Sequence, residues 1–333
     1  MSIYICEKCN KQFSSKARFE IHNKRKTPCT KQISNKKVQK PILKWVGGKT
    51  QMIDKIMEKI PKEFNNYHEL FIGGASVLLA VLSLQKQNKI NIRGKIYAYD
   101  INNILIHFYK NLQQHKDELY EIFESILQEY NKIEANKINR NPNSIEEAMS
   151  SKESYYYWIR SKFNNMQDKE SIECSAMFLF INKTCFRGMY REGPNGFNIP
   201  YGHYKTSPNI NKDEIDAVSD LIQNVEFIHK SFVDSIECIN EYDFVYLDPP
   251  YVPENSKSFV GYVQDGFDEE MHKKLFENIK QLNQKNIKFL LSNSNTQMVR
   301  EYFEEFNIEE IVARRAINSK NPESTTIEVL IHN

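Results

Sequence analysis

The chain is 333 residues long, 40% hydrophobic and 12% aromatic, enough apolar material for one large core with smaller additions. Its longest apolar runs, such as SVLLAVLSL at 76–84, fall short of the roughly 20 residues a membrane span requires, and the N-terminus lacks a signal-peptide pattern, so an intracellular protein without a membrane partner is expected. The net charge of +2 hides a segregation: residues 1–41 hold eleven Lys or Arg against two acids, a balance of +9 that leaves −7 for the remainder.

Along the chain, the first pattern has metal-ligand spacing. In YICEKCNKQFSSKARFEIHNKRKTPC, two residues separate Cys6 from Cys9, twelve more precede His22, and six more precede Cys29. Two thiolates on a tight turn and an imidazole on a following helix supply three corners of a tetrahedron, with Cys29 as the fourth. Tyr4, Phe13 and Phe19 fall where a miniature core needs them. Residues 1–30 resemble a ββα zinc finger of C2HC type, which implies a structural Zn2+ and a contact with DNA or with another protein. A lone finger reads about three base pairs. Basic and polar residues 31–41, ending at Pro41, read as a linker, either a solvated tail or a phosphate-neutralising segment. The remaining cysteines, Cys174, Cys185 and Cys238, show no disulfide-framework spacing.

From Pro41 onward, strand-like and helix-like segments alternate, the pattern of an open, mostly parallel α/β sheet. HELFIGGAS (68–76) is a short strand entering a glycine turn, followed by the apolar helix VLLAVLSLQKQ. KIYAYDIN (95–102) is a second strand, ending on Asp100. Helical stretches fill 103–137 and 153–182, and VEFIHKSF, DFVYLD and IKFLLSNSN are further strands. Residues 268–285 carry Met271, Leu275, Ile279 and Leu282 at helical spacing, and NIEEIVARRAI with TTIEVLIHN closes the chain as a hairpin.

Sheets of this kind bind nucleotide-like ligands at the carboxyl ends of strands, where the strand order switches. Gly73 and Gly74 let the backbone approach a ligand closely, and Asp100 can accept both hydroxyl hydrogens of a ribose. The upstream KWVGGKT is not a phosphate-cradling Walker loop, because Leu43 stands where that pattern needs glycine. In DFVYLDPPYVP (243–253) a buried strand ends on Asp248, and Pro249 and Pro250 stop the ladder and stiffen the backbone after the carboxylate. An aromatic amine is a weak nucleophile whose lone pair is delocalised. A carboxylate and a carbonyl, each accepting one amino hydrogen, favour a pyramidal nitrogen, and Asp248 with the Pro249 carbonyl supply such a pair.

LKWVGGK, ELFIGGAS, YAYDIN, NKTCFRGMYREGPNGFNIPYGHY and VYLDPPY, in that order over residues 42–333, resemble the alpha-class, Dam-type DNA adenine-N6 methyltransferases. The resemblance implies a doubly wound, mostly parallel Rossmann-like sheet with an antiparallel hairpin strand, and a helical target-recognition domain inserted before the DPPY strand, over 110–220. It implies S-adenosylmethionine as cofactor and double-stranded DNA as partner, with an adenine flipped out of the duplex. By the same resemblance Trp45, Lys49, Phe71, Gly73, Gly74, Asp100 and Asp248 bind the cofactor, and Asp248, Pro249, Pro250 and Tyr251 are catalytic, Tyr251 by stacking on the base. Phe186, Arg187, Met189 and Arg191 contact DNA, the arginines by paired hydrogen bonds to guanine or by phosphate contacts. Leu70 stands where the family has proline, Ala75 where it often has a second glycine, and Arg187 where asparagine is more usual. Two other readings stay open: methylation of RNA or a protein amide, against which the aspartate of DPPY argues, and a finger carried on an inactive scaffold, against which Asp100, Asp248 and Tyr251 argue.

Overall fold

The computed structural model describes residues 4–6, 12–24, 38–253, 267–314 and 325–333. The chain divides into two compact units, residues 1–38 and 39–333. In the first, β1 (Tyr4–Ile5) pairs antiparallel with β2 (Gln12–Phe13), and α1 (Lys16–Asn23) follows. Phe19 packs its ring 5.9 Å from both Tyr4 and Phe13. Cys6 and His22 are buried, and the His22 ring lies 4.8 Å from Phe13. Cys9 and Cys29 lie outside the described residues, and among the described ones no group of three or more metal-ligating side chains forms.

The second unit is a mixed α/β body. After α2 (Ile53–Lys59) and β3 (Glu63–Phe64) come β4 (Tyr67–Glu69), α3 (Ser76–Lys86), β5 (Asn91–Ile92) and β6 (Ile96–Asp100). A helical excursion follows: α4 (Asn103–Gln114), α5 (Lys116–Asn131), α6 (Ile145–Ala148), α7 (Lys152–Asn165), α8 (Ile172–Thr184), the small hairpin β7 (Glu192–Gly193) and β8 (Gly196–Phe197), and α9 (Lys212–Leu221). The chain then returns through β9 (Val225–His229), α10 (Phe232–Ile236), β10 (Phe244–Leu247), α11 (Glu269–Gln284), β11 (Lys288–Ser294), α12 (Gln297–Tyr302), β12 (Asn307–Arg314) and β13 (Thr325–His332).

Seven strands form the central sheet in the order β12-β13-β11-β10-β4-β6-β9. β11, β10, β4, β6 and β9 are mutually parallel, whereas β13 runs antiparallel to both β11 and β12. Helices cover both faces, so the middle strand β10 reads as an unbroken apolar run. Phe244 and Tyr246 point into the cluster that includes α3, α4 and α8, and Val245 and Leu247 into the one formed with α10, α11 and α12. Side chains set the helix starts: Asn102 accepts from Leu105 N–H at α4, Asn211 and Glu214 form a reciprocal box at α9, and Asp268 accepts from Met271 N–H at α11.

Residues 110–220 leave the sheet after β6 and return at β9, so β9 separates them from the DPPY strand β10. They belong to the same compact unit as the sheet: Phe123, Tyr155 and Phe178 share one buried cluster with Tyr67 and Phe244 of the strands. At the opposite end of the sheet from the carboxyl edge, Asp243, 1% exposed, accepts from Asn66 and Asn240 N–H and pairs with buried His68 at 3.1 Å. Among the described residues no helix is long and apolar enough to cross a membrane.

Candidate active site

β4 and β10 are neighbours, yet the chain leaves them toward opposite halves of the sheet, and a crevice opens beyond their carboxyl ends. A cavity of about 1080 Å³ lies there, just above the roughly 300–1,000 Å³ usual for small-molecule sites. Its wall brings together sequence-distant residues: Trp45 and Lys49, the 71–74 turn, Asp100 and the 248–251 segment.

The glycine turn is shaped by Trp45. Gly73 has φ +46°, and a Cβ there would lie 2.8 Å from Trp45 Cδ1, while one on Gly74 would lie 2.8 Å from Trp45 Cβ. The indole therefore rests on bare backbone, and its other neighbour is the Tyr190 ring, stacked at 5.9 Å. Ala75 adopts φ +59° as the residue before α3. Next along the sheet, Asp100 Oδ2 accepts from Gly73 N–H (3.1 Å) and Oδ1 from Asn102 N–H (3.0 Å). Burial raises its pKa against the pull of those N–H groups. Phe71, Phe232 and Phe267 pack with centroids 5.7–6.2 Å apart and line an apolar stretch of wall.

Lys49, 4% exposed, places Nζ 2.8 Å from Asp248 Oδ1, 2.6 Å from the Gly47 carbonyl and 4.8 Å from the centre of the Tyr251 ring. Burial pushes Asp248 up to about 6; Lys49 pulls the other way, and Glu328 adds to the rise. Glu69 lies 2% exposed at the end of β4, accepts from Tyr67 Oη–H at 2.7 Å and is pushed up to about 8, chiefly by burial. Tyr251 donates its hydroxyl to Glu328 Oε2 at 2.7 Å. Both backbone groups of Val252 are held: its N–H by Asn293 Oδ1 (3.1 Å) and its carbonyl by Ser294 Oγ–H (2.6 Å).

The 186–191 segment adjoins this site through Arg187, which has φ +57° and lines the cavity. Gly188 has φ +64°, and a Cβ on it would lie 2.3 Å from Lys44 Cβ. Asn182 bonds both the N–H and the carbonyl of Lys44 (2.9 and 2.7 Å). Phe186 is 43% exposed with the Arg187 guanidinium 5.3 Å from its ring centre. Arg191 is exposed and donates through Nε to Asn198 Oδ1. Met189 is half-buried against the core and Tyr190 is 9% exposed.

Glu69, Glu328, Asn293, Phe232 and Phe267 escaped the sequence reading. Glu69 carried a signal, an acid just before the apolar run that leads into the glycine turn. Glu328 carried none, since it enters the site only because β13 folds back beside β11.

The family described as D12 class N6 adenine-specific DNA methyltransferase matches residues 45–317. A protein of Methanocaldococcus jannaschii named Type II methyltransferase M.MjaIII is 34% identical over 290 residues, covering 84% of this chain and 93% of its own. The Type II methyltransferase M1.LlaDCHI of Lactococcus lactis is 30% identical over 90% of this chain and 97% of its own. A DNA adenine methylase of Escherichia coli is 28% identical over 89% and 95%.

Proposed function

The chain belongs to the D12 class of N6 adenine-specific DNA methyltransferases, and from that premise we propose how its residues divide the work. The observation that carries the reading is the placement of Asp248, fixed by two prolines at the mouth of the crevice and paired with Lys49 at 2.8 Å. Asp248 accepts one hydrogen of the adenine 6-amino group and the Pro249 carbonyl the other, localising the nitrogen lone pair. Pro250, lacking an N–H, cannot form a turn bond that would occupy a nearby carbonyl. Tyr251 stacks on a base drawn out of a short site in duplex DNA. Above about pH 6 Asp248 is the anion this role requires.

The cavity suits S-adenosylmethionine. Asp100, the Phe71–Phe232–Phe267 group, Glu69 and Asp248 line one cavity, which supports assigning Asp100 to a ribose, the three rings to a purine, and the two carboxyl groups to a cationic amino acid end. Trp45, Lys49, Gly73 and Gly74 complete that wall. When bound, this donor supplies a methyl group activated by positive sulfur. Positioning and fixed charge, rather than a strong base, then carry the rate.

Phe186, Arg187, Met189 and Arg191 belong to the DNA-facing segment, with Arg191 reading a base edge and Phe186 as the exposed wedge. Residues 110–220 supply target recognition, and relatives named Type II methyltransferases favour a role beside a restriction enzyme. In the N-terminal unit, burial of Cys6 and His22 beside the Tyr4–Phe13–Phe19 core favours a Zn2+ held with Cys9 and Cys29, the finger then adding a DNA or protein contact. Chelation is expected to unfold that unit; protection of its amides unchanged by chelator would refute the metal.

The decisive assay incubates the protein with labelled S-adenosylmethionine and a random-sequence duplex pool, then sequences the modified positions. Label on adenine N6 in one short context is expected, abolished in Asp248→Ala even at saturating cofactor. Full activity of that variant would show that Asp248 is not the acceptor for the amino hydrogen.

A further inference from the structure

We propose that Glu328 is a positioning residue: it fixes the Tyr251 ring in the orientation that stacks the extruded base. The inference rests on the reading of Tyr251 as the stacking residue and adds a partner that the chain brings from a distant strand.

Three contacts determine how the segment after Asp248 sits. Two act on the backbone of Val252, whose N–H and carbonyl are held by Asn293 and Ser294 at the end of β11. They set the course of the chain but leave the two side-chain torsions of Tyr251 free. The third contact is the 2.7 Å bond from Tyr251 Oη–H to Glu328 Oε2, and it acts at the far end of that side chain, where holding one atom limits the swing of the ring about χ1 most narrowly. Glu328 reaches this point because β13 pairs antiparallel with β11, with Glu328 opposite Ser294. The strand that pins the backbone thus also locates the group that pins the ring.

The bond is suited to the task. A carboxylate acceptor makes a stronger hydrogen bond than a neutral one. Burial, with Asp248 and Glu328 alongside, lifts the phenol well above its usual range, so Tyr251 stays a donor at working pH. Lys49 Nζ, 4.8 Å from the ring centre, occupies one side of the aromatic plane. Glu328 therefore fixes the direction of the ring axis, and Lys49 on one face limits rotation about that axis and defines the side left for a base.

The test uses the full chain with duplex DNA and measures kcat, cofactor affinity and, with 2-aminopurine at the target position, the fluorescence of the extruded base. Glu328→Ala is expected to lower kcat on the order of 10²-fold, the loss that follows small misplacement of reacting groups, with cofactor affinity unchanged and the fluorescence of the bound base altered. Glu328→Gln keeps an acceptor oxygen and is expected to retain most of the rate. Tyr251→Phe should match Glu328→Ala, and the double variant should be no worse than either. Wild-type kcat in Glu328→Ala, or losses that multiply in the double variant, would overturn the proposal. If Glu328→Ala fails to fold, wild-type kcat in Tyr251→Phe overturns it instead. Tyr251→Ala separates the two levels: if it is crippled while Glu328→Ala is normal, only this inference falls, and if it too is normal, the stacking role itself falls.

Discussion

Replacing Lys49 by glutamine should displace the acid limb of the pH–rate profile upward. In the proposed role Asp248 is anionic when it accepts an amino hydrogen, and its carboxyl is held at about 6 with Lys49 beside it. Two unit charges 2.8 Å apart attract by about 6 kcal/mol at an effective dielectric constant near 20. Asp248 keeps 20% of its side chain exposed, and solvent replaces much of what the ammonium provides. If about a third of the attraction is lost, the change is about 2 kcal/mol, or about 1.5 pH units at 1.36 kcal/mol per unit. Removing a neighbouring cation disfavours the anion, so the carboxyl titrates higher and the limb moves from about 6 toward about 7.5. Log kcat/KM measured from pH 5 to 9 by tritiated methyl transfer reports this free-enzyme ionisation whatever the drop in absolute rate. A limb that stays in place or moves down in Lys49→Gln, or a wild-type profile flat to pH 5, would break the link between this ion pair and the acid limb.

Other perturbations are equally specific. Gly73→Ala combines a left-handed φ, costing about 1–2 kcal/mol, with displacement of Trp45, costing about 1–3 kcal/mol; urea melts should show the sum, and emission of the indole in a Trp158→Phe background should shift to the red. Asp243→Ala leaves the Nε2 of buried His68 and several N–H donors unpartnered and should cost about 3–5 kcal/mol at pH 7. Burial raises the Asp243 carboxyl, but its bonds to His68, Asn240 and Asn66 more than offset this and hold it below the ordinary aspartate value. The stability it contributes is therefore present above its unfolded pKa and lost as pH falls through the folded value, so acid should narrow the gap between wild type and variant. Arg191→Ala should relax preference at one base position by about 1–3 kcal/mol, read by sequencing methylated products; a uniform loss across contexts would assign it to a phosphate.

The sequence conveyed most about the strands and the DPPY segment that ends β10 because those features are local. β10 declares itself by four consecutive buried residues and two prolines, and α3 by an apolar run covered on nearly every side. Two aspects were not local. Leu70 and Ala75 looked like departures at the glycine turn, yet Trp45, nearly thirty residues upstream, is what the bare backbone of Gly73 and Gly74 accommodates. Glu328 was an acid in a terminal strand, and only the antiparallel return of β13 carries it to Tyr251.

The short arm from Lys44 to Lys49 touches the 182–190 segment, the glycine turn and Asp248 at once. Asn182 grips its first residue, Gly188 is pressed against that residue's side chain, the indole of Trp45 bridges the glycine turn and Tyr190, and Lys49 ends on Asp248. A ligand entering from either side must therefore reckon with the same six residues. Methyl donor and DNA are expected to report on one another through this strap, with each changing the other's dissociation constant by the same factor, as thermodynamic reciprocity demands.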